Sequence, residues 1–179
     1  VSARKLLFLS FVLLGALPAR VHAQTTIVTF DNPAPAGAAD SYVNGIYQGI
    51  NFGTNQWRWS GPYAADPSNN LYFADASGTT RTFSFSPGPR VLTSVNVYTA
   101  TNGTMTLSDG VNPVVTRAVS TGAMVNVLTG WSLGATTVTV GFTAGWALGL
   151  DDITYTVAGQ QETTPPTVSM TAPAAGATL

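Results

Sequence analysis

Trp146-Ala147-Leu148-Gly149-Leu150-Asp151-Asp152-Ile153-Thr154-Tyr155 is the stretch on which the reading of this chain turns. Taken with a period of two, Asp151, Ile153, Tyr155 and Val157 share one face, and Asp152, Thr154 and Thr156 share the other. The pattern is that of a half-buried β-strand with a carboxylate at the head of its apolar, inward row. A buried charge without a partner costs several kcal/mol, so Asp151 is expected to meet a cation or a set of backbone donors.

Upstream, the same rhythm recurs in short units. Thr25 to Phe30 reads as a first strand, with Asp31 just past its end and Pro33 and Pro35 breaking the pattern. Tyr42 to Phe52 is punctuated by Gly45 and Gly49 and reads as short extended pieces. Trp57-Arg58-Trp59 is another, and residues 61–70 form a turn-rich loop. Leu71 to Phe73, Arg81 to Ser86, Val91 to Thr99, Met105 with Leu107, Val114 to Val119, Ala123 to Leu128 and Thr137 to Phe142 continue the series. Asn102-Gly103 and Asp109-Gly110 carry the strongest hairpin signals. No long segment repeats apolar residues at helical spacing. The expected fold is all-β, a two-sheet antiparallel jelly-roll β-sandwich over residues 25–157.

The flanks are of a different kind. Arg4 and Lys5, an apolar run from Leu6 to Leu17, and Val21-His22-Ala23 make the basic, apolar and small-residue parts of a signal peptide over residues 1–23. The run is too short to span a bilayer comfortably, and no cysteine follows it to carry a lipid. Secretion to the extracellular space or cell surface is the expectation. Val1 in first place is what an alternative start codon, or a slightly shortened sequence, produces. At the other end, residues 158–166 read as a polar linker closing on Pro165-Pro166, and Thr167 begins a fresh strand pattern.

Loss of residues 1–23 removes the lysine, the histidine and two arginines. Four arginines then face eight acids, a net charge of −4. Such a surface is unsuited to nucleic acid, which needs clustered cations. With no cysteine anywhere, disulfides and thiolate metal sites are ruled out. A Ser-His-Asp arrangement, a cysteine nucleophile, a Ser-Lys dyad and an ordinary zinc site all lack a component. These subtractions argue against an enzyme.

The Thr29-Phe30-Asp31 opening, the Leu-Asp-Asp-Ile-Thr-Tyr ending and the Trp57-Arg-Trp-Ser-Gly-Pro-Tyr63 segment resemble the galactose-binding-like, carbohydrate-binding jelly-roll modules of extracellular bacterial proteins. The 167–179 segment resembles the start of a bacterial Ig-like repeat, cut short. The resemblance implies that the first and last strands lie side by side. It also implies that Asp31 and Asp151, with Asp152, hold a structural calcium ion. Calcium suits the residue types, being a hard cation that takes roughly 6–8 oxygens. The competing reading has Asp31 cap its loop and Asp151 accept backbone N–H groups.

Trp57, Arg58, Trp59 and Tyr63 form the candidate recognition surface, with Asp66, Asn69 and Asn70 as hydrogen-bonding partners for a sugar. On a strand, either both tryptophans are buried or Arg58 is. Trp131 and Trp146, each following a glycine, read as core plugs. Arg81, Arg90 and Arg117 read as solvated. The expected function is a non-catalytic module at the front of a multimodular protein, binding a polysaccharide or cell-surface glycan. The alternative is a structural spacer, and a glycan-active enzyme is the remote one.

Overall fold

The computed structural model describes residues 24–63, 66–75 and 78–157. The signal-peptide, linker and Ig-like expectations lie outside the described residues. Twelve strands are found among those described: β1 (Thr25–Val28), β2 (Ile46–Tyr47), β3 (Ile50–Asn51), β4 (Trp57–Ser60), β5 (Asn70–Phe73), β6 (Thr80–Phe85), β7 (Arg90–Thr99), β8 (Gly103–Ser108), β9 (Val115–Val119), β10 (Val125–Leu128), β11 (Thr137–Phe142) and β12 (Leu148–Val157). One 3-10 turn, Gly145–Ala147, precedes β12. No helix among the described residues is long and apolar enough to cross a membrane.

The strands form two antiparallel sheets. One runs β10-β7-β12-β5-β4 with β1 added alongside β12, and the other runs β2-β3-β6-β11-β8-β9. Every connection after β5 except β8–β9 carries the chain from one sheet to the other. That is the winding of a jelly-roll sandwich, and it follows from strands with one apolar face each, which can bury that face only against a second sheet. The core between them is strongly aromatic. Trp57 meets Phe73 edge-on at 5.3 Å and Phe52 at 6.2 Å. Such pairs add about 0.5–1.5 kcal/mol each beyond the area they bury.

The first and last strands do lie side by side, with Val28 opposite Ile153 and Thr25 opposite Thr156. Two expectations are overturned. Asn102-Gly103 is no hairpin: β7 and β8 belong to different sheets, and the residues make a crossing between them. A Cβ on Gly103 would come within 2.6 Å of the Phe142 ring, so the glycine serves close packing at this point. The Asn102 side chain instead accepts from the Thr121 amide.

The second correction concerns β12. Leu148 and Leu150 face the core, and so do Ile153 and Tyr155, so the two-residue rhythm changes phase at Asp151-Asp152. The register with β7 shifts there, and Asp152 has φ 46°. This is a β-bulge, in which an extra residue re-aims its neighbours. Asp151 therefore alternates with the inward Leu150, opposite Asn96, and does not head the Ile153 row. It is nonetheless only 3% exposed, because the β4–β5 connection lies over it.

Candidate functional site

Antiparallel pairing of β4 with β5 places Trp57 opposite Phe73 and Trp59 opposite Leu71, all facing the core. Trp57 is fully buried, its indole N–H donating to the Thr82 carbonyl at 2.8 Å, and Trp59 is 8% exposed. Neither tryptophan can form a recognition surface. Alternation then sends Arg58, opposite Tyr72, and Ser60, opposite Asn70, to the outer face of the sheet.

A cavity of about 170 Å³ opens on that outer face, lined among others by Tyr63, Asn70, Tyr72, Tyr98, Trp146 and Gly149. Trp146, expected in the core, projects from the 3-10 turn and is 50% exposed; Tyr63 on its loop is 53% exposed. Gly149 stands opposite both Tyr72 on β5 and Tyr98 on β7. A Cβ there would lie 3.0 Å from Tyr98 Cδ1 and 3.3 Å from Asn70 Oδ1, so the missing side chain lets these two close over β12.

The cavity wall holds polar groups without partners. Asn70 Nδ2 and Tyr98 Oη are both buried, and neither has a partner in good hydrogen-bond geometry among the described residues. Burial, then the nearby Tyr63 and Asp66, raises the Tyr98 hydroxyl to a pKa of about 12, so it stays protonated. Tyr72 is likewise raised to about 12, first by burial and then by its bond to Asp40 Oδ1, which accepts the phenol proton at 2.9 Å. Beside this cavity lies a second of about 160 Å³, lined by Arg58, Phe73, Ala74 and Asp75 and sharing Tyr72 and Trp146 with the first. The Arg58 guanidinium sits 4.2 Å from the Tyr42 ring centroid and donates to the Asp40 carbonyl at 2.6 Å.

Behind Tyr63 is a buried acidic seam. On one edge β12 pairs with β5 through Gly149 and Leu150 and with β1 from Ile153 onward, leaving a gap at Asp151-Asp152. The β4–β5 connection fills it. Asp66 and Tyr63 exchange backbone hydrogen bonds of 2.9 and 3.0 Å. Ser68 Oγ lies 2.6 Å from Asp66 Oδ1 and 2.7 Å from Asp151 Oδ2. The Asn69 amide donates to Asp31 Oδ1, and its side chain to the Phe30 carbonyl.

A hydroxyl has one proton, so Ser68 can donate to only one of those two carboxylates at a time. Both contacts become hydrogen bonds when one carboxyl is itself protonated; a cation would meet the excess negative charge without supplying the second proton. The remaining oxygens, Asp66 Oδ2 and Asp151 Oδ1, are buried and have no hydrogen-bond partner among the described residues. Burial foremost, with the charges of Asp152 and Asp66 adding to it, pushes Asp151 up to a pKa of about 6, against the lowering effect of Ser68.

Of the sequence-derived residues, Tyr63 and Asn70 line the cavity, and Arg58 lines its neighbour. Asp66, expected to meet a sugar, is 1% exposed and belongs to the seam with Asp151. Asp152 turns toward Asn96, whose side-chain amide donates to it at 2.8 Å. No group of three or more acidic or histidine side chains able to hold a metal stands together among the described residues. Tyr72, Tyr98, Trp146 and Gly149 were not foreseen as site residues. The alternation of β5 and β7 identifies Tyr72 and Tyr98 as outward-facing, but only the sheet order makes them neighbours.

No known family profile matches the chain, and no curated protein does. Among solved structures, two variants of the family 29 carbohydrate-binding module CBM29-2 are similar, each at 9% identity and a TM-score of 0.43 over 81% of this chain, covering 100% and 99% of the module. A third is the CBM22-1–GH10 portion of Clostridium thermocellum endo-1,4-β-D-xylanase 10B, complexed with xylohexaose. It matches at 15% identity and a TM-score of 0.31, over 70% of this chain and 29% of that one.

Proposed function

We propose that this protein is a secreted, non-catalytic carbohydrate-binding module whose binding face is the outer surface of the β7-β12-β5-β4 sheet. The observation that carries the reading is the cavity flanked by the half-exposed rings of Tyr63 and Trp146 and walled by the unpartnered Asn70 Nδ2 and Tyr98 Oη. A buried polar group left without a partner costs about 1–3 kcal/mol. A ligand with apolar faces and many hydroxyls suits both features: rings stack on its C–H faces, and hydroxyls approach the polar wall. Sugars are such ligands. The signal-peptide pattern of residues 1–23 and the linker pattern of residues 158–166 support a module displayed outside the cell, ahead of further domains.

The two acids closest in the seam, Asp66 and Asp151, are too deeply buried to flank a glycosidic bond, which supports binding without catalysis. For calcium, the unpartnered oxygens of Asp66 and Asp151 fit a hard cation. Asp66 takes the place given to Asp152, and Asp31 lies one residue along the same loop contact through Asn69. Calcium there would neutralise the seam and secure the loop that carries Tyr63.

Screening the protein on a glycan array, beside Tyr63→Ala and Trp146→Ala variants, tests the proposal. Binding to at least one glycan that both variants reduce about tenfold or more is expected. An array on which nothing binds above background, or on which the variants bind as well as the parent, overturns it.

A further inference from the structure

We infer that the site reads a chain of at least two linked sugar residues, with the second held beside Arg58. This rests on the carbohydrate-binding reading and deepens it. The two cavities meet along Tyr72 and Trp146, so a ligand occupying the first passes over those rings directly into the second. Volume points the same way. Ligand pockets usually enclose roughly 300–1,000 Å³. About 170 or 160 Å³ falls short of that alone, whereas the adjoining pair reaches its lower end.

The second cavity also has its own recognition element. Arg58 is held in place by the Tyr42 ring and the Asp40 carbonyl, and it forms no ion pair among the described residues; the pair at this edge joins Arg81 to Asp75 at 2.5 Å. A guanidinium has five N–H donors, and its interactions with the Asp40 carbonyl and Tyr42 leave others for ligand hydroxyl or ring oxygens. Its geometry is set before ligand arrives, so little side-chain freedom is lost on binding. Arg58 is therefore the specificity-determining residue for the second sugar. Glycans with equatorial linkages, which keep successive rings in an extended ribbon, fit a shallow path of this kind.

The test is titration of the intact protein with mono-, di-, tri- and tetrasaccharides of β-1,4-linked glucose, mannose and xylose. Tryptophan fluorescence, with the Trp146→Ala variant as its reference, and the NMR signal of the Arg58 Nε–H are followed together. Affinity should rise at least tenfold from mono- to disaccharide in one series, and the Arg58 signal should move only from the disaccharide onward. Arg58→Ala should lower disaccharide affinity about tenfold, with Arg58→Lys intermediate. Equal affinity for mono- and longer saccharides, or an Arg58→Ala variant that keeps the length dependence, overturns the two-residue reading while leaving carbohydrate binding intact. Absence of binding to every saccharide, here and on the array, removes both.

Discussion

Replacing Asp151 by asparagine should stabilise the metal-free protein at neutral pH. In the folded state the Asp151 carboxyl is raised from the usual 3.8 to about 6. That is a rise of about two pH units, and each unit is worth about 1.36 kcal/mol, so ionising Asp151 in the folded protein costs roughly 3 kcal/mol. The sign follows from proton binding. Because the folded state holds this proton more tightly, the favourable contribution is fully present below about pH 4 and is lost as pH rises through about 6. An asparagine amide can donate to Ser68 Oγ, leaving the serine proton for Asp66, so both short contacts become hydrogen bonds at every pH. For a domain of this size, 3 kcal/mol corresponds to a Tm increase on the order of 10 °C. Thermal melts of both proteins from pH 4 to 8, in chelator, should converge near pH 4 and separate above pH 6 with the variant higher. Saturating calcium should raise the parent by about 4 kcal/mol at a thousandfold excess over Kd, and should raise the variant far less. A variant that melts below the parent at pH 8 in chelator would refute the one-proton account of the seam, and equal melts with and without calcium would refute the metal.

Three further outcomes are expected. Trp57→Ala should cost about 3–5 kcal/mol in chemical denaturation, because it empties a fully buried site among Phe52, Phe73 and Phe83, whereas Trp146→Ala should change stability by less than about 1 kcal/mol. Gly149→Ala should push Tyr98 and Asn70 apart and reduce glycan affinity on the array more than it lowers Tm. Ser68→Ala leaves two buried carboxylates without their hydroxyl and should destabilise the chelated protein by about 1–3 kcal/mol at pH 8, read by the same melts.

Much of the architecture was legible because it is local. The alternation of Val138, Val140 and Phe142, or of Phe83 and Phe85, dictates which side of a strand meets the core wherever the strand lies. At Trp57-Arg58-Trp59 the sequence leaves two alternatives, since a strand's two faces are distinguishable by pattern but inside and outside are not when both carry plausible occupants. Asn102-Gly103 misled because a glycine needed for packing against Phe142 looks the same in sequence as one needed for a turn. Asp151 misled in orientation for a related reason. Period-two reasoning assumes an unbroken pleat, and the bulge at Asp151-Asp152 reverses the phase between Leu150 and Ile153.

By itself, the sequence determined an all-β chain without disulfides, the supply of acids and aromatics, and the absence of histidine and lysine from residues 24–179. Tertiary structure alone decided which of them meet. Tyr63, Tyr72, Tyr98 and Trp146 come from four separate stretches, and Asp66 reaches Asp151 through Ser68 across more than eighty residues. The reason is physical: a strand's periodicity is set by its own backbone, whereas neighbours within a sheet are chosen by the burial of all strands at once.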